Sequence, residues 1–279
     1  MYTEISFPSL GLTLNPPTGF NIGPLSVHYY GLIIAIGLML AVFYCSKRSH
    51  QFGLDEDTLL DGVLWVTPVA IICARIYYCA FTWELYADNP ISVLYIWEGG
   101  IAIYGSVIGA ILGIIVFCKV KKIRITAVLD LVSLGFLIGQ FIGRWGNFMN
   151  REAFGAETES FFRMGLMKAS TGVVTYYHPT FLYESIWNLT GFVILHFLSK
   201  KRKYDGQIAL GYLAWYGLGR AFIEGLRTDS LYIGPFRVSQ LLAAGSCVIA
   251  LALLVFLGRK LHNPADLFVN QVAAKKAEE

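Results

Sequence analysis

Charge is what this 279-residue chain has least of: Asp, Glu, Lys and Arg make up 15% of it, against about 25% in soluble domains. With 56% of its residues hydrophobic, the chain has too few charges to cover a water-soluble globule of this size. A net charge of +3 is too small for a nucleic-acid partner, and none is expected. The hydrophobic share also excludes a disordered or collagen-like chain. Five cysteines are an odd count, and all lie in or beside apolar runs, where they read as small packing residues. No disulfide framework follows. The histidines (His28, His50, His178, His196 and His262) show no paired ligand spacing, so neither a metal nor a cofactor is expected. No Lys or Arg occurs in the first 27 residues; without a basic n-region, no cleaved leader is expected. No internal repeat is visible, which weakens a transporter built from two related halves.

Long apolar runs take the place of charge. A hydrocarbon core about 30 Å thick needs about 20 apolar residues per helix. Seven segments qualify: Val27–Cys45, Leu59–Phe81, Gly99–Cys118, Thr126–Asn147, Pro179–Leu198, Gln207–Arg227 and Val238–Leu257. The expected fold class is therefore all-α, a polytopic membrane protein of seven transmembrane helices forming one domain over residues 1–279. Residues 148–178 are too long and polar for a plain connection and are expected to form a small external head. Residues 262–279 are expected to be a cytoplasmic tail. Glycines four apart in the third span (Gly105, Gly109, Gly113) and the fourth (Gly135, Gly139, Gly143) predict close helix packing. They place these two spans at the centre of the bundle.

The basic residues give an orientation. Fourteen of the 22 follow the odd-numbered spans, at Lys47–Arg48, Lys119–Arg124, Lys200–Lys203 and Arg259–Lys276. By the positive-inside rule the amino terminus is outside and the carboxyl terminus cytoplasmic. At about 1.5 Å per residue, Arg75, Arg144 and Arg220 then lie roughly 24, 27 and 20 Å from the cytoplasmic ends of their spans, in the outer half of the membrane. Intramembrane arginines point to function, and a guanidinium matches phosphate oxygens as a bidentate fork. The plain alternative is that they snorkel or pair with carboxylates. Tyr216, Arg220, Glu224 and Arg227 share one helical face. Such a stripe either faces a cavity or forms an internal ion-pair ladder.

Three further stretches carry polar groups in suggestive order. The fourth span ends in Gly143-Arg144-Trp145-Gly146-Asn147-Phe148-Met149-Asn150-Arg151-Glu152-Ala153-Phe154-Gly155, in which Glu152 could hold an arginine. His178-Pro179-Thr180-Phe181-Leu182-Tyr183-Glu184 opens the fifth span, where Pro179 suits a first helical turn. His28-Tyr29-Tyr30-Gly31 opens the first, where tyrosines also serve as interfacial anchors.

Together with Trp97-Glu98-Gly99-Gly100 and Tyr104-Gly105, these motifs resemble the prolipoprotein diacylglyceryl transferase family over about Ile22 to Gln240. The resemblance implies a bacterial plasma-membrane enzyme with its active site in the outer half. It would transfer the diacylglyceryl group of phosphatidylglycerol to the lipobox cysteine of prolipoprotein signal peptides, releasing glycerol phosphate. Carried over by position, the catalytic candidates are Arg144, Arg220, Tyr104, Tyr30 and Asn147. Phosphatidylglycerol would be bound by Arg144, Arg220, Arg75, Asn147, Gly105 and Gly155. Glu152, Tyr216, Glu224, Arg227, His28 and Glu184 would support the site. Many members have a histidine, proposed as the base, where this chain has Tyr104. Two rivals compete with the family reading: an anion or lipid transporter, and an intramembrane serine protease using Ser106, for which a nearby histidine is hard to find.

Overall fold

The apolar runs fold as helices because a backbone away from water must satisfy its hydrogen bonds within one segment. The computed structural model describes residues 2–23, 25–227, 232–233, 236–260 and 262–278. Among them, eight helices follow one another: α1 (Tyr29–Arg48), α2 (Glu56–Phe81), α3 (Ile103–Lys121), α4 (Ile125–Asn150), α5 (Thr180–Ser199), α6 (Gln207–Glu224), α7 (Val238–Gly258) and α8 (Phe268–Glu278). Six of these segments are long and apolar enough to cross a membrane, beginning with Tyr29–Phe52 and ending with Val238–Gly258. The seventh expected span is α6. It has 18 residues, but Tyr212, Tyr216, Arg220 and Glu224 dilute its hydropathy, and it is not among the six.

The all-α expectation needs correction, because strands β1 (Tyr2–Phe7), β2 (Leu12–Leu14), β3 (Gly19–Ile22) and β4 (Leu25–His28) precede α1. Strands β5 (Met164–Lys168) and β6 (Val174–Tyr177) lie between α4 and α5, and the short pair β7 (Tyr232–Ile233) and β8 (Phe236–Arg237) precedes α7. A four-stranded sheet runs in the order β2-β1-β5-β6. Its central pairing sets Ile5 against Leu166 and Ser6 against Gly165, antiparallel. Residues 148–178 therefore do carry structure of their own, but they share it with the amino terminus.

The contacts divide the chain into two compact units. The first, Met1–Tyr44 with Leu129–Leu267, holds the four-stranded sheet and most of α1 and α4, with α5, α6 and α7. Ile5, Met164, Leu166 and Phe181 form a buried core where the sheet meets the start of α5, flanked by Phe148 at the end of α4. The Phe148 and Phe181 rings lie 5.0 Å apart, and Trp145 donates to Ser185 Oγ at 3.2 Å. These contacts join the end of α4 to the start of α5. Arg151, buried and with φ at +54°, donates to the carbonyls of Met149, Thr3 and Pro16 and to Asn15 Oδ1.

Two devices fix α6. At its start, the fully buried Asp130 of α4 accepts from the backbone N–H groups of Gly206, Ile208 and Ala209 at 2.8–2.9 Å, using a carboxylate to satisfy a helix N-terminus. Further along, Trp187 and Trp215 each donate their indole N–H to the other's backbone carbonyl at 2.9 Å. Their rings stack with centroids 4.4 Å apart, each filling the space opposite a glycine of the partner helix, Gly219 and Gly191 respectively.

The second unit is Cys45–Val128 with Phe268–Glu279. Here α2 and α3 pack closely: a Cβ on Gly109 would sit 2.6 Å from Cys73 Cβ and 2.9 Å from Ala70 Cα. The spaced glycines of α3 thus serve helix packing. Their partner is α2, within the same unit. Half of the α4 window is buried, against 17% for α3. Ile108, Ile111, Leu112 and Val116 of α3 are exposed, as suits a helix whose neighbour is lipid.

Candidate active site

Three helices of the first unit converge on one carboxylate. Thr180 Oγ1 donates to the Ala153 carbonyl at 2.5 Å, which fixes the first turn of α5 and sets Glu184 one turn further on. Glu184 is 4% exposed and forms an ion pair with Arg144 of α4. The same carboxylate meets Arg220 Nη1 of α6 at 3.1 Å and Arg227 Nη1 at 3.7 Å. Arg220 Nη2 also reaches Glu224 Oε2 at 2.5 Å, and the Glu224 main-chain oxygen accepts from Arg237. The expected ion-pair ladder on α6 is therefore real between Arg220 and Glu224, and it crosses to α5.

Among the described residues, three guanidiniums meet the carboxylates of Glu184 and Glu224 in a poorly solvated place. Each guanidinium has five N–H donors in a planar fork. The side chains of Arg144 and Arg220 remain 22% and 19% exposed. An oxyanion reaching this point meets two permanent cations already held side by side.

The end of α4 adds amide groups. Asn147 Oδ1 accepts from Arg144 Nη1 at 3.4 Å, while its amide nitrogen donates to Glu152 Oε1 at 3.0 Å. Asn150 donates to the same Glu152 oxygen at 3.4 Å. Glu152 was expected to hold an arginine; it instead holds two asparagine amides. Tyr30 of α1 lies over Gly146, where an added Cβ would come within 2.9 Å of the ring. Gly155 is buried in a backbone crossing: its N–H donates to the His178 carbonyl, and it forms a bridge with Arg227. A Cβ there would lie 2.8 Å from the Leu226 oxygen, so a glycine is required by backbone packing. His28 ends β4, paired with Gly19, and its side chain is exposed.

Arg75, Tyr104 and Gly105 belong to the second unit. Arg75 is 5% exposed and gives its donors to main-chain oxygens: Nε to Val93 at 2.7 Å, Nη1 to Gly99 and Gly100 at 2.5 and 2.9 Å, and Nη2 to Ser92 and Tyr95 at 2.8 and 3.4 Å. Its plane lies over the Tyr86 ring, 5.1 Å from the centroid. This geometry assigns Arg75 to holding the 92–100 segment. Tyr104 is 41% exposed beside Tyr77, and Gly105 packs against the Cys73 carbonyl and Ala74. Among the described residues no group of three or more His, Cys, Asp or Glu could hold a metal.

A profile of the family described as prolipoprotein diacylglyceryl transferase matches residues 17–256. The chain belongs to that family. It is 43% identical over 249 residues to a phosphatidylglycerol–prolipoprotein diacylglyceryl transferase of Lysinibacillus sphaericus, covering 86% of this chain and 91% of the relative. Relatives with the same name in Listeria monocytogenes and Limosilactobacillus reuteri are 42% identical, over 89% and 86% of this chain and 92% and 90% of theirs. Like other members of the family, this transferase is an integral membrane protein.

Sequence reasoning missed one residue that touches this transferase's charged centre and one that lies beside it. Arg237, to which the sequence assigns no role, meets the Glu224 carbonyl. Asn188, one turn after Glu184 on the same face of α5, was passed over within an apolar run. The signal that could have found it is its spacing of four from a carboxylate.

Proposed function

We propose that this protein transfers the diacylglyceryl group of phosphatidylglycerol to the lipobox cysteine of prolipoproteins, the first step of bacterial lipoprotein maturation. The thiolate sulfur attacks the glyceryl carbon that bears the phosphate. A carbon–sulfur bond forms, the carbon–oxygen bond breaks, and its electron pair leaves with glycerol phosphate. The supporting observation is the buried Glu184 holding Arg144 and Arg220 together. Charge builds up on the phosphate as it leaves, and preorganised cationic donors stabilise that transition state without reorganising. The same positive field favours thiolate over thiol, whose unperturbed pKa is about 8.5.

In this reading α6 crosses the membrane as the sixth of seven spans. At about 1.5 Å per residue its 18 residues measure roughly 27 Å, and its polar stripe faces the other helices. The amino terminus and the four-stranded sheet lie outside, residues 262–279 are cytoplasmic, and the charged centre lies in the outer half of the plasma membrane. Arg144 and Arg220 bind the phosphate, with Asn147 and Tyr30 beside them. Tyr104 serves the transfer as a hydrogen-bond donor and not as the base; Glu184 and Glu224 hold the cations in place, Glu152 orients the Asn147 amide, and Tyr216 and Arg227 support the site.

Purified protein incubated with glyceryl-labelled phosphatidylglycerol and a lipobox peptide is expected to label the peptide at its cysteine. Lipid or anion flux in vesicles without any label on the peptide would favour a transporter.

A further inference from the structure

Strands β3 and β4, just before α1, form a two-stranded sheet of their own. Their antiparallel register pairs Phe20 with Val27 and Ile22 with Leu25, and in alternate positions Gly19 with His28 and Asn21 with Ser26. Directly opposed residues share a face, and successive residues alternate between faces. Phe20, Ile22 and Val27 therefore lie on one face of the ribbon, and Asn21, Ser26 and His28 on the other. Among the described residues the apolar face stays open: Phe20 is 40% exposed and Ile22 61%. An isolated two-stranded ribbon is at best marginally stable in water and needs something against its apolar face.

Lipid is the occupant that fits. No Asp, Glu, Lys or Arg occurs between Glu4 and Lys47. Both strands of the ribbon are edges, and soluble proteins guard exposed edges with charges; this ribbon has none. It also runs directly into a surface that suits lipid. Tyr29, the first residue of α1, donates its N–H to the Thr18 carbonyl at 3.0 Å, and its ring lies 5.5 Å from that of Phe20. Leu32, Ile36, Met39 and Phe43 then form an exposed apolar stripe at helical spacing along α1. Depth follows from the backbone. Open sheet edges do not occur in the hydrocarbon region, whereas the boundary between headgroups and acyl chains takes an element that is apolar on one face and polar on the other.

We propose that the β3–β4 ribbon is a membrane-docking element, seated in the lipid interface at the start of α1. Phe20, Ile22 and Val27 enter the acyl boundary, while Asn21, Ser26 and His28 face headgroups and water. The ribbon holds the start of α1, and Tyr30 with it, at headgroup depth. This needs an integral membrane protein and does not depend on the transferase reading.

The test attaches a nitroxide to Phe20→Cys, Ile22→Cys, Asn21→Cys and Ser26→Cys in the full-length protein, with Met39→Cys as the reference for lipid exposure. Labelled wild-type protein, whose five cysteines are buried or half-buried, supplies the background. The proteins are placed in vesicles of phosphatidylcholine with phosphatidylglycerol, and in phosphatidylcholine alone. Collision rates are measured with oxygen, which concentrates among acyl chains, and with a water-soluble nickel chelate. The ratio of oxygen to chelate access at positions 20 and 22 should exceed that at 21 and 26 several-fold and approach that at 39. Because the ribbon is uncharged, the pattern should be the same in both lipids. The same label on the opposite face controls for its own affinity for lipid, and two positions per face keep one misfolded variant from deciding the result. Equal chelate access on both faces would place the ribbon in water and overturn the proposal. Exclusion of both reagents from positions 20 and 22 would overturn it as well, with spin–spin broadening that fades on dilution in lipid assigning the face to a second copy of the chain. Oxygen-favoured access at all four positions would refute the two-sided seating.

Discussion

Replacing Glu184 by glutamine preserves its shape and removes the charge that three guanidiniums share. At an effective dielectric of about 20, unit charges about 4 Å apart interact by about 4 kcal/mol. Removing one partner of a buried ion pair costs about 3–5 kcal/mol where it has been measured. Glu184 is 4% exposed, but the arginine side chains are 22% and 19% exposed, so solvent relieves part of the cost. About 3 kcal/mol is the expectation for Glu184→Gln. With about 2–4 °C per kcal/mol for a domain of this order of size, its unfolding midpoint in detergent should fall by roughly 6–12 °C. Transfer should fall by at least about 10², because two mutually repelling cations no longer stay side by side. Adding Arg227→Gln to this variant removes one of the stranded charges. It should return part of the lost stability while leaving transfer impaired. Arg220 keeps its pair with Glu224, so the loss of position should fall mainly on Arg144, whose carboxylate partner is Glu184. If Glu184→Gln keeps its midpoint within about 2 °C and most of its transfer rate, the carboxylate does not organise the centre.

The other expectations use the same assay. Arg144→Gln and Arg220→Gln should each lose at least about 10² in transfer rate, with lysine rescuing only in part because a point charge lacks the fork; near-normal rates in folded glutamine variants would leave these arginines as structural ion pairs. Tyr104→Phe should be slowed about 10–150-fold, the range for one lost bond to a charged group, and Tyr104→His should stay active. If the phenylalanine variant is dead and raising the pH restores it, Tyr104 is the base and the hydrogen-bond role is wrong. Arg75→Gln should lower the unfolding midpoint by stranding the carbonyls of residues 92–100, with little change in the KM for phosphatidylglycerol; a selective rise in that KM would return Arg75 to the lipid site. A cysteine at Ala87 should react with an impermeant maleimide in intact cells and one at Lys201 should not, and the reverse pattern would invert the proposed topology.

The helices were legible because hydropathy is a local signal: each of the seven apolar runs overlaps an observed helix from α1 to α7. The sheet was not, because β1 pairs with β5 across more than 150 residues, and strands of three to six residues carry too little alternation to stand out. The charged centre was half legible. Arg144, Arg220 and Glu224 announced themselves as ions in apolar runs, and they do meet. No spacing rule could say that Glu184 from a different span would bridge them, since that depends on how three helices are set against one another. Arg75 looked like its neighbours in the sequence. Only the fold of residues 82–102 shows that main-chain carbonyls surround it.

Asp130 has a consequence beyond capping a helix. It lies in α4 and binds the first turn of α6, so the two helices share a pinned end. Fourteen residues separate Asp130 from Arg144, and fourteen separate Gly206 from Arg220. At about 1.5 Å per residue, these are two struts of equal length, roughly 21 Å, rising from one hinge pin. Glu184 is the crossbar where they arrive level. One residue inserted into either strut would raise its guanidinium by about 1.5 Å and swing it about 100° around the helix, without altering any residue of the charged centre. The alignment of the two cations is thus set at the far end of the bundle, as the level of a table is set at its feet.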